Sequence, residues 1–296
     1  CLILGSVDMS HYNPSSLAEI HDGFTLNALR HLNIEKLKKA ETDSPEVLTI
    51  LTELAKIQGY SGFDLFERSD TGIVGNNNEM ETTSWIIGNF SSTPNEISDS
   101  SYLIFAGDIM LDRSVNHIFK DQGFERIFDN FSSRVFWGTD ASIANLEGPI
   151  NDGPVIDDVS SNNLVFNFPL DSVKGLIHAK LTGFSLANNH TLNDSSKGHT
   201  RTRKILTENN LLNFGSPKGL DDNSIVRFPG TKVSLIGVNL LEQYDHNKLI
   251  DTISAEKAKG QYVVAFLHWG NEYQTQHSAS QEREAHWMID SGVDMI

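Results

Sequence analysis

The chain contains one cysteine, at position 1. A single thiol excludes an internal disulfide and any cysteine-rich zinc site. No run of eighteen apolar residues occurs, and the start carries no charged segment leading into an apolar stretch and a cleavage site. Neither a membrane span nor an intact signal peptide can therefore be read in these residues, which on their own read as soluble. Basic residues are scarce: 23 Lys and Arg against 39 Asp and Glu leave a formal charge of −16. That balance excludes a broad phosphate-neutralising surface, and with it non-specific binding of nucleic acid. A phosphate can still be met locally, through a metal or one arginine. Only eight prolines and 39% hydrophobic residues in 296 argue against disorder and allow a substantial core. No internal repeat is evident.

What is present divides into three stretches. Residues 1–74 read as a mainly helical segment. In "SPEVLTILTELAKI" Ser44 can cap, Pro45 fits the first turn, and Val47, Leu48, Leu51 and Leu54 follow the 3.6-residue period. Residues 75–101 turn to Asn, Ser, Thr, Glu and Gly around one apolar island, "SWIIGNF", and read as a linker. From Tyr102 onward short apolar runs ("YLIFAGDIM", "FWGTDASIANLEG", "LTGFSLANNH", "KVSLIGVNLL", "YVVAFLHWG") alternate with amphipathic stretches. This alternation predicts an α/β domain over 102–296.

Four of those five runs end in polar groups for which an apolar strand has no packing use: Asp108, Glu147, Asn189 with His190, and His268. In open α/β sheets the carboxyl ends of strands are where sites collect. A pair of hydrolytic divalent cations wants hard oxygen ligands, imidazole, a carboxylate able to bridge, and open positions. Asp108 and Glu147 offer carboxylates, Asn189 an amide oxygen and His268 an imidazole. The mixture suits Mn, Fe or Zn in a catalytic role rather than a structural zinc. His190, beside Asn189, is suited to protonate a leaving oxygen or to stabilise charge on it rather than to be another ligand. Each piece alone also reads as turn chemistry: Gly107-Asp108 as a turn, Asn145-Leu146-Glu147 as a strand end before Gly148-Pro149, Asn188-Asn189 as a loop. The remaining histidines, His11 and His21 among them, read as surface or core residues.

"GDIMLDR", "NLEGPI", "LANNHTLND" and "FLHWGNEY", in that order, resemble the capsule-synthesis CapA family of the poly-γ-glutamate type, a branch of the calcineurin-like metallophosphoesterase superfamily. The resemblance covers residues 102–296 and does not reach residues 1–100. It implies a four-layer fold, a β-sandwich flanked by helices, carrying two divalent metal ions. Asp108 matches the first motif's aspartate, Glu147 the "NLE" glutamate expected to bridge, Asn189 and His190 the Asn-His motif, and His268 the next histidine ligand. Arg113 stands where related sequences often place an arginine, which would meet an anionic substrate group; it reads equally as a surface or helix-start arginine. Trp269 and Glu272 complete the "HWG-x-E" pattern and are expected to shape the pocket or orient His268. Two departures stand out. Asn193 occupies the family's aspartate position and is followed by Asp194, which puts a local orienting role in doubt or displaces it by one residue. "SGVDMI" resembles the lead into a final Gly-x-His-x-His turn, expected beyond Ile296, so residues 1–296 alone are expected to hold the metal pair incompletely and to have poor activity.

The resemblance implies a metal-dependent hydrolase of phosphoester-like or related bonds, linked to capsule or poly-γ-glutamate synthesis, with a phosphoester or an anionic polymer as substrate. An alternative is a non-catalytic cell-envelope component that binds an anionic polymer or a membrane synthase complex. A third reading leaves the motifs as turns of an unrelated α/β domain. Either of the first two places the protein outside the cytoplasm of a bacterium. Cys1 reads as the lipidated cysteine of a mature lipoprotein or as an arbitrary boundary.

Overall fold

The computed structural model describes residues 3–79, 81–95, 100–129, 134–153, 158–160, 162 and 164–296. Cys1 and its lipidation reading lie outside the described residues. Two compact units divide the chain: Cys1–Ile104 with Phe128–Ser142, and Phe105–Ile127 with Ile143–Ile296.

In the first unit the elements run β1 (His11–Asn13), α1 (Ser15–Arg30), α2 (Ile34–Leu37), α3 (Pro45–Ile57), β2 (Gly62–Asp70), α4 (Thr71–Gly75) and β3 (Thr82–Ser91). The α3 start follows its sequence signals: Ser44 accepts the Val47 N–H and Pro45 sits in the first turn, where its missing N–H costs no hydrogen bond. The strands form an antiparallel sheet in the order β1-β3-β2. Met9, Ala28, Leu29, Leu37, Leu48 and Phe63 pack as its core, with Ile86 and Phe90 against them.

Three expectations need correction here. The stretch read as a linker carries β3, the central strand of this sheet, although its residues 80 and 96–99 lie outside the described residues. The first segment is accordingly a helix-and-sheet unit rather than a mainly helical one. The polar composition of β3 misled because those side chains are buried partners: Thr82 Oγ1 donates to the Asn13 carbonyl at 2.8 Å and Ser84 Oγ to Asp22 at 2.8 Å. Residues 128–142, expected in the second domain, also belong to the first unit. Lys36 pairs with Asp140 at 2.6 Å, and Nε2 of buried His21 lies 3.2 Å from the Val135 carbonyl oxygen.

The second unit is α/β. Its elements run β4 (Leu103–Ile109), α5 (Arg113–Gln122), β5 (Ala141–Leu146), β6 (Ile150–Asn151), β7 (Phe168–Pro169), α6 (Ser172–His178), β8 (Gly183–Ser185), α7 (Ser195–Glu208), β9 (Leu212–Phe214), β10 (Ile225–Arg227), β11 (Val233–Asn239), α8 (His246–Ala258), β12 (Tyr262–His268) and α9 (Ala279–Asp290). One sheet has the order β4-β5-β8-β9, and a second, mixed sheet the order β10-β11-β12. The pairs β5-β8, β8-β9 and β11-β12 are parallel. A parallel bridge from Ser216, just past β9, to Val238 of β11 links the two sheets.

Every residue of β5 and β11 is buried, which is why those strands read as continuous apolar runs rather than alternating ones. Ile236, Val238, Val263 and Ala265 pack with Leu249 and Ile253 of α8 and Met288 of α9. This core holds β11 and β12 in register with Asn239 opposite His268, so the strand ends are set by packing. Among the described residues no helix is long and apolar enough to cross a membrane.

Candidate metal centre

Period-two geometry puts Asn145 and Glu147, two apart at the end of β5, on the same side of the strand. There the Asn145 amide nitrogen donates to Asp108 of β4 at 2.8 Å and to Oε2 of Glu147. Both amide hydrogens are thereby used. Its oxygen accepts from Asn188 at 2.9 Å, and the same Asn188 amide nitrogen donates to the Leu146 carbonyl at 2.8 Å.

Asn188, Asn189 and His190 have three different tasks in the loop after β8. Asn188, fully buried, accepts the backbone N–H groups of His190 and Thr191 at 3.0 and 2.8 Å and the Thr191 hydroxyl at 2.9 Å. It builds the turn. Asn189 points its oxygen to Nε2 of His268 at 2.8 Å. His190 stacks on Phe166, with ring centroids 4.2 Å apart, and brings Nε2 to 3.9 Å from Oε1 of Glu147.

His268 ends β12 with Nε2 3.5 Å from Oε1 of Glu147 and Nδ1 3.9 Å from Oδ1 of Asp108. One donor atom from each of Asp108, Glu147 and His268 lies within 4.8 Å of the others. The structure thus brings together Asp108, Glu147, Asn189, His190 and His268. Arg113 stands one ring away, its guanidinium carbon 4.8 Å from the Phe166 ring centroid.

The electrostatics favour a cation here. Burial, reinforced by the neighbouring Asp108 carboxylate and by Glu272, pushes Glu147 up to about 7 despite the hydrogen bond from Asn145. Burial likewise holds His268 below its usual value, against the attraction of Asp108 and with added repulsion from His190. Two crowded carboxylates, an amide oxygen and an imidazole form a hard oxygen and nitrogen donor set of the kind that can hold a divalent cation.

Other residues take clear places. Asn193 accepts a hydrogen bond from Nδ1 of His190 at 3.0 Å, whereas Asp194 pairs with Arg201. The contact to His190 is therefore not displaced by one residue. Trp269 lines a cavity of about 300 Å³ with Leu240, Tyr244, Gln281 and Glu284. The sequence reading missed Asn145, Asn188 and Phe166. Alternation two residues before Glu147 was a usable signal for Asn145; no local pattern marks Phe166.

A second group lies in the first unit. Asp8, His11 and Asp43 place one donor atom each within 4.8 Å of one another. His11, expected to be a bland histidine, has Nε2 3.5 Å from Asp8 and Nδ1 3.5 Å from Asp43, with Nδ1 also 3.0 Å from the Met9 carbonyl oxygen.

An α/β unit whose strand ends gather carboxylates, an amide and an imidazole is a domain capable of binding metal. Residues 102–296 match the family described as "Bacterial capsule synthesis protein PGA_cap", and the chain belongs to that family. It is similar to the capsule biosynthesis protein CapA of Bacillus anthracis, 26% identical over 220 residues that cover 66% of this chain and 52% of the relative. It is also similar to the PGA biosynthesis protein CapA of Bacillus subtilis (strain 168), 25% identical over 210 residues that cover 65% of this chain and 55% of the relative. The chain spans about half the length of these curated relatives.

Proposed function

We propose that this chain is part of a metal-dependent hydrolase acting on phosphoester-like or related bonds in the bacterial cell envelope, in capsule or poly-γ-glutamate synthesis. The observation that carries this reading is the clustering of donor atoms from Asp108, Glu147 and His268, with the Asn189 oxygen against His268, beside the imidazole of His190. In this reading the second unit is a metallophosphoesterase-like β-sandwich flanked by helices, and its cofactor is a pair of Mn, Fe or Zn ions.

Asp108, Glu147, Asn189 and His268 are the metal ligands, with Glu147 the carboxylate suited to bridging. A cation held by them would supply Lewis acidity toward a substrate oxygen and water near neutral pH. Asn145 holds Asp108 and Glu147 together from one amide nitrogen, which fixes the donor spacing before a cation arrives. His190 carries the proton for the leaving oxygen. Arg113, held against Phe166, meets an anionic group of the substrate. The polymer partner is anionic, and a membrane synthase complex is the assembly that this activity serves.

The test uses the full-length protein with Mn and an aryl phosphodiester. Hydrolysis that needs Mn and falls at least a hundredfold in both His190→Ala and Asp108→Ala supports the reading. Metal-independent binding of an anionic polymer, unchanged by either substitution and without hydrolysis, overturns it in favour of a non-catalytic envelope component.

A further inference from the structure

Asn193 decides which imidazole nitrogen of His190 faces the metal ligands. Its side-chain oxygen accepts the backbone N–H of Phe166 at 2.8 Å and lies 3.0 Å from Nδ1 of His190. The first contact fixes the amide orientation, because a backbone N–H only donates and must meet oxygen rather than the amide nitrogen. An amide oxygen only accepts, so Nδ1 of His190 carries hydrogen. The neutral ring then has its lone pair on Nε2, the nitrogen 3.9 Å from Glu147.

Phe166 supplies an independent constraint. Its ring stacks on the imidazole at an interplanar angle of 29°, and the segment that bears it is tied at two points. Phe166 N–H goes to Asn193, and Asn167 N–H goes to buried Asp112 at 2.8 Å. Asp112 also accepts the Arg113 N–H at 2.7 Å, which anchors the start of α5 to the same segment. The Arg113 guanidinium lies over the Phe166 ring. One aromatic ring therefore touches both His190 and Arg113.

We infer that Asn193 and Phe166 are positioning residues for His190: Asn193 holds the imidazole in its Nδ1–H form, Phe166 fixes its plane, and together they direct Nε2 into the site. The tautomer stands on the geometry alone; its kinetic consequence rests on the reading of His190 as proton carrier. In that step the Nε2–H bond breaks, an O–H bond forms on the leaving oxygen, and Nδ1 keeps its hydrogen. The imidazole left behind is the neutral form that Asn193 already matches. An amide in this place accepts both hydrogen bonds without adding a negative charge beside Asp108 and Glu147, which a carboxylate would do.

The experiment is a long-range ¹H–¹⁵N correlation spectrum of the full-length protein labelled at histidine, with the His190 signals identified by their loss in His190→Ala. At about pH 8.5, roughly two units above the ordinary histidine value, His190 shows the Nδ1–H pattern. Asn193→Asp, which keeps an acceptor, retains it. Asn193→Leu moves the ring toward the Nε2–H form that predominates in free histidine. In that variant Mn-dependent hydrolysis loses about tenfold or more in kcat, with KM little changed. An Nε2–H pattern in the unmodified protein overturns the inference without any variant, and so does an unchanged tautomer in folded Asn193→Leu. If no ester is hydrolysed but the tautomer depends on Asn193, the catalytic reading fails and the positioning stands. If hydrolysis needs His190 but the tautomer ignores Asn193, the reverse holds.

Discussion

At the scale of single residues the site depends on how few donors restrain its carboxylates. Asn145 is 3% exposed, and its amide nitrogen serves Asp108 and Glu147 at once. Asn145→Leu removes that donor and leaves Glu147 buried without it, so the metal-free protein is expected to lose about 1–3 kcal/mol, as for other buried acceptors left without a donor. A divalent cation replaces the lost attraction, so saturating Mn should restore more stability to the variant than to the unmodified protein. Urea denaturation with and without Mn measures this, and equal losses in both conditions would count against the role given to Asn145. The candidate residues that the sequence marked and the structure brings together are the polar groups that interrupt an apolar run at its end: Asp108, Glu147, Asn189, His190 and His268. Asn145 escaped because it lies within the strand, where a polar residue looked like the approach to a turn. Phe166 escaped because its contact with His190 arises from the path of the chain in space, which no local spacing encodes.

At the scale of elements, Glu256 fastens α8 to its sheet. The carboxylate is 2% exposed, accepts from Arg227 of β10 at 2.6 Å and Ser234 of β11 at 2.8 Å, and takes Lys259 at 2.7 Å. The hydrogen bond from Arg227 chiefly, aided by Lys259 and Ser234 and opposed by burial, holds Glu256 down to about 2. Its folded value lies below its unfolded one, so the stability it contributes is present above about 4.5 and is lost as pH falls from there through about 2. Arg227 is half exposed, which screens the pair, and about 2 kcal/mol is the expected contribution at neutral pH. Glu256→Gln should lose that amount at pH 7 and flatten the decline between about pH 4.5 and 2. A parallel pair of acid-unfolding curves, one offset from the other by a constant, would contradict this account. Elements were legible where one signal dominated, as Ser44 and Pro45 did for the start of α3. β3 was not, because Thr82 and Ser84 look like linker residues until Asn13 and Asp22 are brought beside them by a fold that local sequence does not reveal.

At the scale of the whole molecule the formal charge of −16 favours cations generally, so metal binding must be separated from diffuse attraction. Diffuse attraction is screened by salt over about 8 Å at physiological ionic strength, whereas ligation by a cluster such as Asp108, Glu147 and His268 would be local. Among the described residues two groups compete for the assignment, the cluster in the second unit and Asp8, His11 and Asp43 in the first. A ligand that binds only the folded state at a hundred times its Kd adds about 2.7 kcal/mol. For a unit of 150–250 residues each kcal/mol moves Tm by roughly 2–4 °C. Mn at that concentration, in 0.15 M salt, should therefore raise the melting temperature of the second unit by about 5–10 °C. Asp108→Ala should abolish the shift and His11→Ala should leave it intact. Asp8 and Asp43 are 60% and 58% exposed along their side chains, so a cation there meets ligands already well solvated and has less repulsion to relieve than beside Glu147. A shift lost in His11→Ala and kept in Asp108→Ala would move the stabilising metal to the first unit and leave the strand-end cluster without the role argued for it.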